Sequence, residues 1–527
     1  MHPDDKSRYS FVILLAFPIM GWLYAAKAAG IVNNRGVFGL YDLAKATPSN
    51  WHLIGGLGAG LAIACVLVFM LRSLGATEFQ GAEYKRHLRG TKIVSVSALK
   101  RQTADKNADQ VTIAGVPVPR KVEQLHTMIC GSTGSGKSVL LNELVFTALC
   151  RGDRAIILDP NGSMYARFGR KGDRILNPYD TRTQGWSIFN EIRADYDYER
   201  YALSVVPRGK TADAEEWRQY ARLLLAETMR KVAISANPTI QAVAHYTTIA
   251  TPERLKAFLE NTQAESLFVG ADKALASARF VLSTQVAPHL KMPVGRFSLR
   301  DWLADEHAGN LYITWREDMA ESMKPLLSAW VDVLCTSILS LPEDPNRTLW
   351  LCIDELASLE KLASLEDAAT KGRKAGLRIV AGLQSTSQLT DIYGAHEAQT
   401  LRSCFRSTVV LSGAKSDPKT CEDMSLSLGE HEVERERHSK SRQPKGTSVS
   451  RQIAHERERV VMPSEIASLP ALTGYLAFAG EYPISRIKLD LLQFAQVNAP
   501  FVERKDEAAE KIAAQIEHQQ TPVASFT

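Results

Sequence analysis

No two of the seven cysteines (Cys65, Cys130, Cys150, Cys335, Cys352, Cys404 and Cys421) stand in a C-x-x-C or other metal-ligand spacing. Neither a zinc site nor a disulfide framework is therefore expected, and the cysteines inside apolar runs read as packed thiols of a reducing compartment. Charge of one sign is also scarce. Lys and Arg total 63 against 58 Asp and Glu, a net +5 at pH 7, so bulk charge does not demand a nucleic-acid partner. Such a partner would have to be met by a local patch. No internal repeat is present, which removes solenoids and propellers. With 45% hydrophobic and 23% charged residues the chain is globular rather than disordered, and at 527 residues two or three domains are expected.

The most informative stretch present is "MICGSTGSGKSVLL", Met128 to Leu141. An apolar run, Leu125–Cys130, reads as a buried strand, and apolar residues recur at helical spacing after Ser138. Between them Gly131, Ser132, Thr133, Gly134, Ser135, Gly136, Lys137 and Ser138 match G-x-x-x-x-G-K-[ST] in the required strand–loop–helix setting. A phosphate chain lying on the backbone leaves no room for side chains, so glycines line the turn. Free N–H groups and the positive end of the helix then hold the anion. Lys137 is expected to reach the β- and γ-phosphates of ATP and Ser138 to ligate Mg²⁺.

Two charge-free runs precede this site: Tyr9–Ala26 and His52–Leu71, each about long enough to cross a bilayer. Gly58, Ala59 and Gly60 in the second permit close helix packing in lipid. A signal peptide is the rival reading of the first run, with Lys6 and Arg8 before it, but cleavage would carry the nucleotide site away from ATP. Arg72, Lys85, Arg86, Arg89 and Lys92 follow the second run, which places both termini inside, with an outer loop of about twenty-five residues.

The organisation expected from these patterns begins with a transmembrane anchor over 1–72. Residues 73–124 form a connector with short strands at "KIVSVSAL" and "VTIAGVPV". An α/β nucleotide-binding domain occupies 73–185 and 297–500, since apolar β-rich runs recur at "RAIILDP", "NLYITW", "TLWLCIDE", "LRIVAGLQS", "STVVLSG" and "GYLAFAG". Such near-continuous runs suit one doubly wound parallel sheet covered on both faces. Residues 186–296 read as an inserted all-α domain. It includes a helix over Asp213–Ala233 and another opened by Thr251 as N-cap with Pro252 at N1. His431–Arg459, charged and of mixed sign, reads as a solvated loop or hairpin rather than a binding element. The tail, 501–527, reads as a short amphipathic helix followed by disorder.

Hydrolysis needs an acidic group at a strand end beside the phosphate loop. "TLWLCIDE" supplies Asp354, expected to hold Mg²⁺, and Glu355, expected to act as general base. Asp159 in "RAIILDP" is the rival, but Pro160, Asn161 and Gly162 after it read as a turn. Gln384 ends the strand of "RIVAGLQS", where it would sense the γ-phosphate or orient water. Arg373 in "KGRKAG" is displayed on a glycine-flanked loop from which it could reach a neighbouring subunit's nucleotide, with Arg406 as second candidate.

The two apolar runs, "GSTGSGKS", "ILDPNG", the long helical insertion, "LCIDELASL", "KGRKAGLRIVAGLQS" and "VMPSEIASLPALTGYL" together resemble a TraG/TrwB-type coupling protein of conjugative type IV secretion, over nearly the whole chain. The resemblance implies a RecA-like P-loop ATPase with an inserted all-α domain and a two-helix anchor in the bacterial inner membrane, assembled as a homo-hexamer. It implies pumping of single-stranded DNA, with relaxase and relaxosome proteins on one side and secretion-channel subunits on the other. Lys137 and Ser138 then take the phosphate and Mg²⁺ roles, Asp354 and Glu355 the Walker B pair, Gln384 the downstream glutamine and Arg373 the trans-acting arginine. Two other functions stay open: a double-stranded DNA translocase of the segregation type, for which further spans and a winged C-terminal domain would be expected, and an ATP-dependent receptor for protein secretion substrates. A transporter ATPase is disfavoured, because no "LSGGQ"-like signature is present.

Overall fold

The computed structural model describes residues 3–31, 36–73, 84–269, 272–443 and 446–505. They fall into two units, Met1–Ser95 with Gly429–Val461, and Val96–Leu428 with Met462–Thr527. The expected helix and disorder of the tail lie outside the described residues from 506 onward.

In the first unit, helices Pro3–Ala28 and Trp51–Ser73 pack against each other. Trp51–Met70 is long and apolar enough to cross a membrane; the apolar part of the other described helix, Val12–Ala28, is shorter. Their contact is made by small residues one helical turn apart. A side chain at Gly56 would strike Ala25 and the Gly21 carbonyl, and one at Gly60 would strike the Phe17 carbonyl. Of the expected packing residues Gly60 holds this position, whereas Gly58 faces open space. The segment between the apolar runs contains a helix, Gly36–Ala46. The charged stretch after Leu428 forms two antiparallel strands, Glu430–Gln443 and Gly446–Arg459, with Arg86–Gly90 added to the outer edge of the first.

The second unit is built on a twisted sheet. Its strands lie in the order Ile484–Lys488, Thr473–Ala477, Ser407–Leu411, Thr127–Cys130, Leu377–Leu383, Leu349–Ile353, Arg154–Pro160, Leu311–Trp315 and Arg174–Leu176. From Ser407–Leu411 to Arg174–Leu176 every neighbour is parallel, and the central strands are buried along their whole length. The expectation of one parallel sheet fails at the C-terminal edge. There Thr473–Ala477 runs antiparallel to Ser407–Leu411, and Ile484–Lys488 returns beside it as a hairpin. The short turn between Thr473–Ala477 and Ile484–Lys488 allows only antiparallel pairing, whereas Ser407–Leu411 and Thr473–Ala477 are joined by a long connection that contains helix Pro418–Leu428.

Between Trp186 and Arg296 the described residues contain helices and no extended strand. The longest, Ala212–Ala233, is capped by Thr211, whose hydroxyl accepts from Ala214 N–H; Thr251 caps Pro252–Phe258 in the same way. The connector is less extended than its β-branched residues suggest. "KIVSVSAL" is a strand only over Ile93–Val94, and a helix begins at Val96. "VTIAGVPV" is a tight hairpin turned by Ala114 and Gly115, both at positive φ.

At the N-terminal edge of the parallel strands the buried carboxylate of Glu123 takes hydrogen bonds from both Arg151 and Arg378. Asp153 takes further ones from Arg151, Thr348 and the Trp350 indole. Burial opposes the charge of Arg151, but its bonds to the two carboxylates outweigh this and raise its pKa; burial dominates at Arg378 and lowers it. Removing one member leaves uncompensated buried charge. Glu123→Ala is expected to destabilise this unit by about 3–5 kcal/mol, read as a fall in its unfolding midpoint. A shift within the error of the measurement would show that the network is not needed for stability.

Candidate nucleotide site

Strand Thr127–Cys130 ends in a loop that turns into helix Lys137–Arg151. Gly134 and Gly136 both take positive φ, 75° and 114°, which a larger residue adopts only with strain. The loop is pinned to its neighbours: Gly131 N–H donates to Leu383 O (3.1 Å) and Ser132 N–H to Ser412 O (2.8 Å). From the outer side Leu472 N–H donates to Ser135 O at 3.1 Å, with Leu472 itself at φ 61°. A bulky residue in the left-handed region is an outlier, and here it closes the segment Pro470–Leu472 over the loop.

The predicted side chains meet around this loop. Ser138 Oγ donates to both oxygens of Asp354, at 3.1 and 3.0 Å. Lys137 Nζ donates to Gly131 O (2.8 Å) and Ser132 O (3.4 Å), folded back over the loop. Gln384 Nε2 donates to Thr133 Oγ1 at 2.7 Å. Asp354 follows strand Leu349–Ile353 and Gln384 follows Leu377–Leu383, so parallel pairing delivers all three groups to one end of the sheet. Burial raises the pKa of Asp354, opposed by Ser138 and Lys137, and burial likewise raises Glu355, opposed by Lys137. Oε1 of Glu355 is buried without a partner, as is the Ser135 hydroxyl. Buried polar atoms without partners beside a cradle of N–H groups are what a polyphosphate and its ion would satisfy.

The rival acid has another task. Asp159 is wholly buried, accepts from Met164 N–H (3.0 Å), Tyr165 N–H (2.7 Å) and Ser163 Oγ (3.3 Å), and so caps the helix Ser163–Phe168. Burial moves its pKa up to about 6 against those hydrogen bonds.

A protein-family model described as the type IV secretion-system coupling protein DNA-binding domain matches residues 110–490, a stretch that contains the loop, the acid pair and Gln384. The chain belongs to this family. Among solved structures, the bacterial conjugative coupling protein TrwB lacking its N-terminal segment is 62% identical, with a TM-score of 0.78 over 82% of this chain and 99% of that one. TrwB in complex with the non-hydrolysable ATP analogue ADPNP is 61% identical, with a TM-score of 0.76 over 81% of this chain. The coupling protein TraD of Escherichia coli K12 is 29% identical over 422 residues, 76% of this chain; the chain spans 57% of the length of that relative. The match to the conjugal transfer protein TraG of Agrobacterium fabrum is shorter, 31% over 140 residues. The fold of this coupling protein is that of a RecA-like P-loop NTPase.

Arg373 is not brought to the site. It lies in the turn Gly372–Ala375, before the central strand Leu377–Leu383, at the end of the strands opposite the phosphate loop. Seven strand residues separate it from Gln384, about 20 Å. Its exposed guanidinium makes no hydrogen bond or ion pair among the described residues. Arg406 is likewise exposed and precedes strand Ser407–Leu411 at that same end of the strands. Two contributors escaped the sequence reading. Gly382 has no room for a side chain because the Asp354 carbonyl lies against it. His126, at φ 56°, ties together the helix and strand on either side of the arginine turn: its Nε2 bonds Ala369 O at 2.7 Å and its Nδ1 accepts from Ile379 N–H at 3.0 Å. Burial takes its pKa down to about 4, so the ring is neutral at physiological pH. A lone histidine before an apolar strand carries no signal of this; only the glycine two residues before Gln384 was visible in principle.

Proposed function

We propose that this coupling protein is an ATP-driven motor of conjugative DNA transfer, anchored in the bacterial inner membrane by two spans, with its bulk in the cytoplasm. The observation that carries the reading is the convergence of Lys137, Ser138, Asp354, Glu355 and Gln384 on one phosphate loop. The residues suit ATP with Mg²⁺. Ser138 and Asp354 would hold the ion, and the loop N–H groups with Lys137 would hold the phosphates. Mg²⁺, when bound, neutralises charge on the β- and γ-phosphate oxygens. Lys137 exchanges the Gly131 and Ser132 carbonyls for phosphate oxygens. Glu355 removes a proton from the attacking water, and its buried, unpartnered oxygen is the acceptor. Gln384 orients that water.

In a head-to-tail hexamer Arg373 of one subunit completes the site of the next, because such an interface joins opposite edges of the same fold. Residues 1–72 form the anchor, 73–185 and 297–500 the motor domain, and 186–296 an inserted all-α domain. Single-stranded DNA passes through the ring, handed on from a relaxosome to the secretion channel.

The deciding measurement is ATP turnover of the purified protein with and without single-stranded DNA. Stimulation is expected. Stimulation only by duplex would point to a segregation-type translocase, and none by either to a receptor for protein substrates. DNA affinity should fall linearly on a log–log salt plot, by roughly 0.7 per phosphate contacted, with little dependence on base sequence. A flat salt response would exclude a phosphate-tracking motor.

A further inference from the structure

The segment from Glu355 to Ser364 leads from the acid pair to helix Leu365–Lys371, and that helix runs directly into the turn that carries Arg373. Ser364 stands nine residues after Glu355 and nine before Arg373. The segment forms one short turn, Leu356–Ser358, so its later backbone N–H groups need partners outside it. Three of them are taken by buried side chains. Glu360 N–H donates to Ser328 Oγ (2.8 Å), Leu362 N–H to Tyr393 OH (3.3 Å) and Ser364 N–H to Asp332 Oδ1 (2.7 Å).

Ser328 and Asp332 lie four residues apart on helix Ala320–Ile338 and so share a face. Asp332 has a second partner. Its Oδ2 accepts from Ser204 Oγ at 2.5 Å, and Ser204 belongs to Asp197–Val205, the first α-helix after Trp186. One carboxyl group thus joins the helical region, helix Ala320–Ile338 and the start of the helix that leads to Arg373. It is 2% exposed. Arg200 acts on it only at longer range and is itself paired with Asp197 (3.6 Å). Burial raises the pKa of Asp332, opposed by the bonds from Ser204 and Ser364. A buried carboxyl without a close counter-ion stabilises a fold less than an apolar side chain of that size. What it offers instead is a two-sided acceptor, holding a hydroxyl on one oxygen and a backbone N–H on the other.

We infer that Asp332 is a positioning residue for ATP hydrolysis. Through Ser204 it follows where the helical region sits, and through Ser364 it sets the segment behind Glu355 and the helix that presents Arg373. A shift of helix Asp197–Val205 strains this joint unless Ser364 moves with it, because a hydrogen bond weakens steeply as its geometry is lost. The inference rests on the motor reading, in which DNA raises turnover at the phosphate loop.

The test compares ATP turnover of the full chain with and without single-stranded DNA. Ser204→Ala removes the helical side of the joint and leaves Asp332 Oδ1 on Ser364 N–H. It should keep ATP binding and basal turnover and lose DNA stimulation by about fivefold or more, the scale of coupling between separate sites. Ser204→Thr keeps the hydroxyl and should retain stimulation. Asp332→Asn can hold both partners, its amide N–H donating to Ser204 Oγ, and should retain it too. Asp332→Ala should lower kcat with little change in KM for ATP. Unfolding midpoints score the fold separately. An equal loss of basal and stimulated turnover in Ser204→Ala, following a lowered midpoint, would make the joint structural and overturn the inference. An unsubstituted chain that DNA does not stimulate overturns the motor reading and this inference together. A stimulated chain whose Ser204→Ala variant is stimulated alike overturns the inference alone.

Discussion

Glu355→Gln is expected to bind ATP normally and to lose turnover by roughly 10²-fold or more. The substitution keeps the shape of the side chain and leaves Asp354, Ser138 and Lys137 in place, so the ion and phosphate contacts survive. What goes is the one oxygen at the site that is buried, unpartnered and able to take a proton. Lys137→Ala should behave differently and weaken nucleotide binding itself. Fluorescent-nucleotide titration and single-turnover hydrolysis separate the two effects. Normal hydrolysis by Glu355→Gln would discard it as the base. Asp159 would be a poor replacement, since its oxygens are committed to the start of the helix Ser163–Phe168.

The same reading fixes the sign of a pH effect. Burial lifts Glu355 above the ordinary carboxylate range. A base must be deprotonated to act, so turnover should rise with pH, and its acid limb should lie higher than an ordinary glutamate would give. Glu355→Asp should shift that limb; an unchanged limb would assign it to another group.

Arg373→Ala is the second large effect. It should retain ATP binding and lose DNA-stimulated hydrolysis by about 10³-fold, the scale on which a trans-acting arginine stabilises phosphoryl transfer. The guanidinium, without a partner among the described residues, stands at the far end of the strands, on a turn whose flanking elements the His126 ring ties together and which Gly376 closes at φ 85°. A group so placed cannot reach its own phosphate loop, so under the proposed function it acts on a neighbour's. Mixing Arg373→Ala with Lys137→Ala under conditions of subunit exchange should therefore restore part of the activity, because some interfaces join an intact loop to an intact arginine. Unchanged stimulated turnover in Arg373→Ala would make the turn ordinary surface and transfer the test to Arg406.

The local chemistry of this coupling protein was legible in its residues. The phosphate loop is specified by glycine spacing, and Asp354, Glu355 and Gln384 announce themselves as polar residues ending apolar runs. Helix caps at Thr211 and Thr251 are equally local, because each cap lies within four successive residues. The antiparallel edge formed by Thr473–Ala477 was not legible, since an apolar run reads the same in either direction. Nor could the surroundings of Asp159 and Asp354 be read from sequence. Both end buried strands, and only the fold shows the first bonded to a helix start and the second to Ser138. The separation of Arg373 from its own site and the His126 tie are likewise products of strand order and register. Composition and spacing determine which groups a chain can offer. Pairing between residues hundreds of positions apart determines which of them meet, and that information is carried by packing rather than by any local pattern.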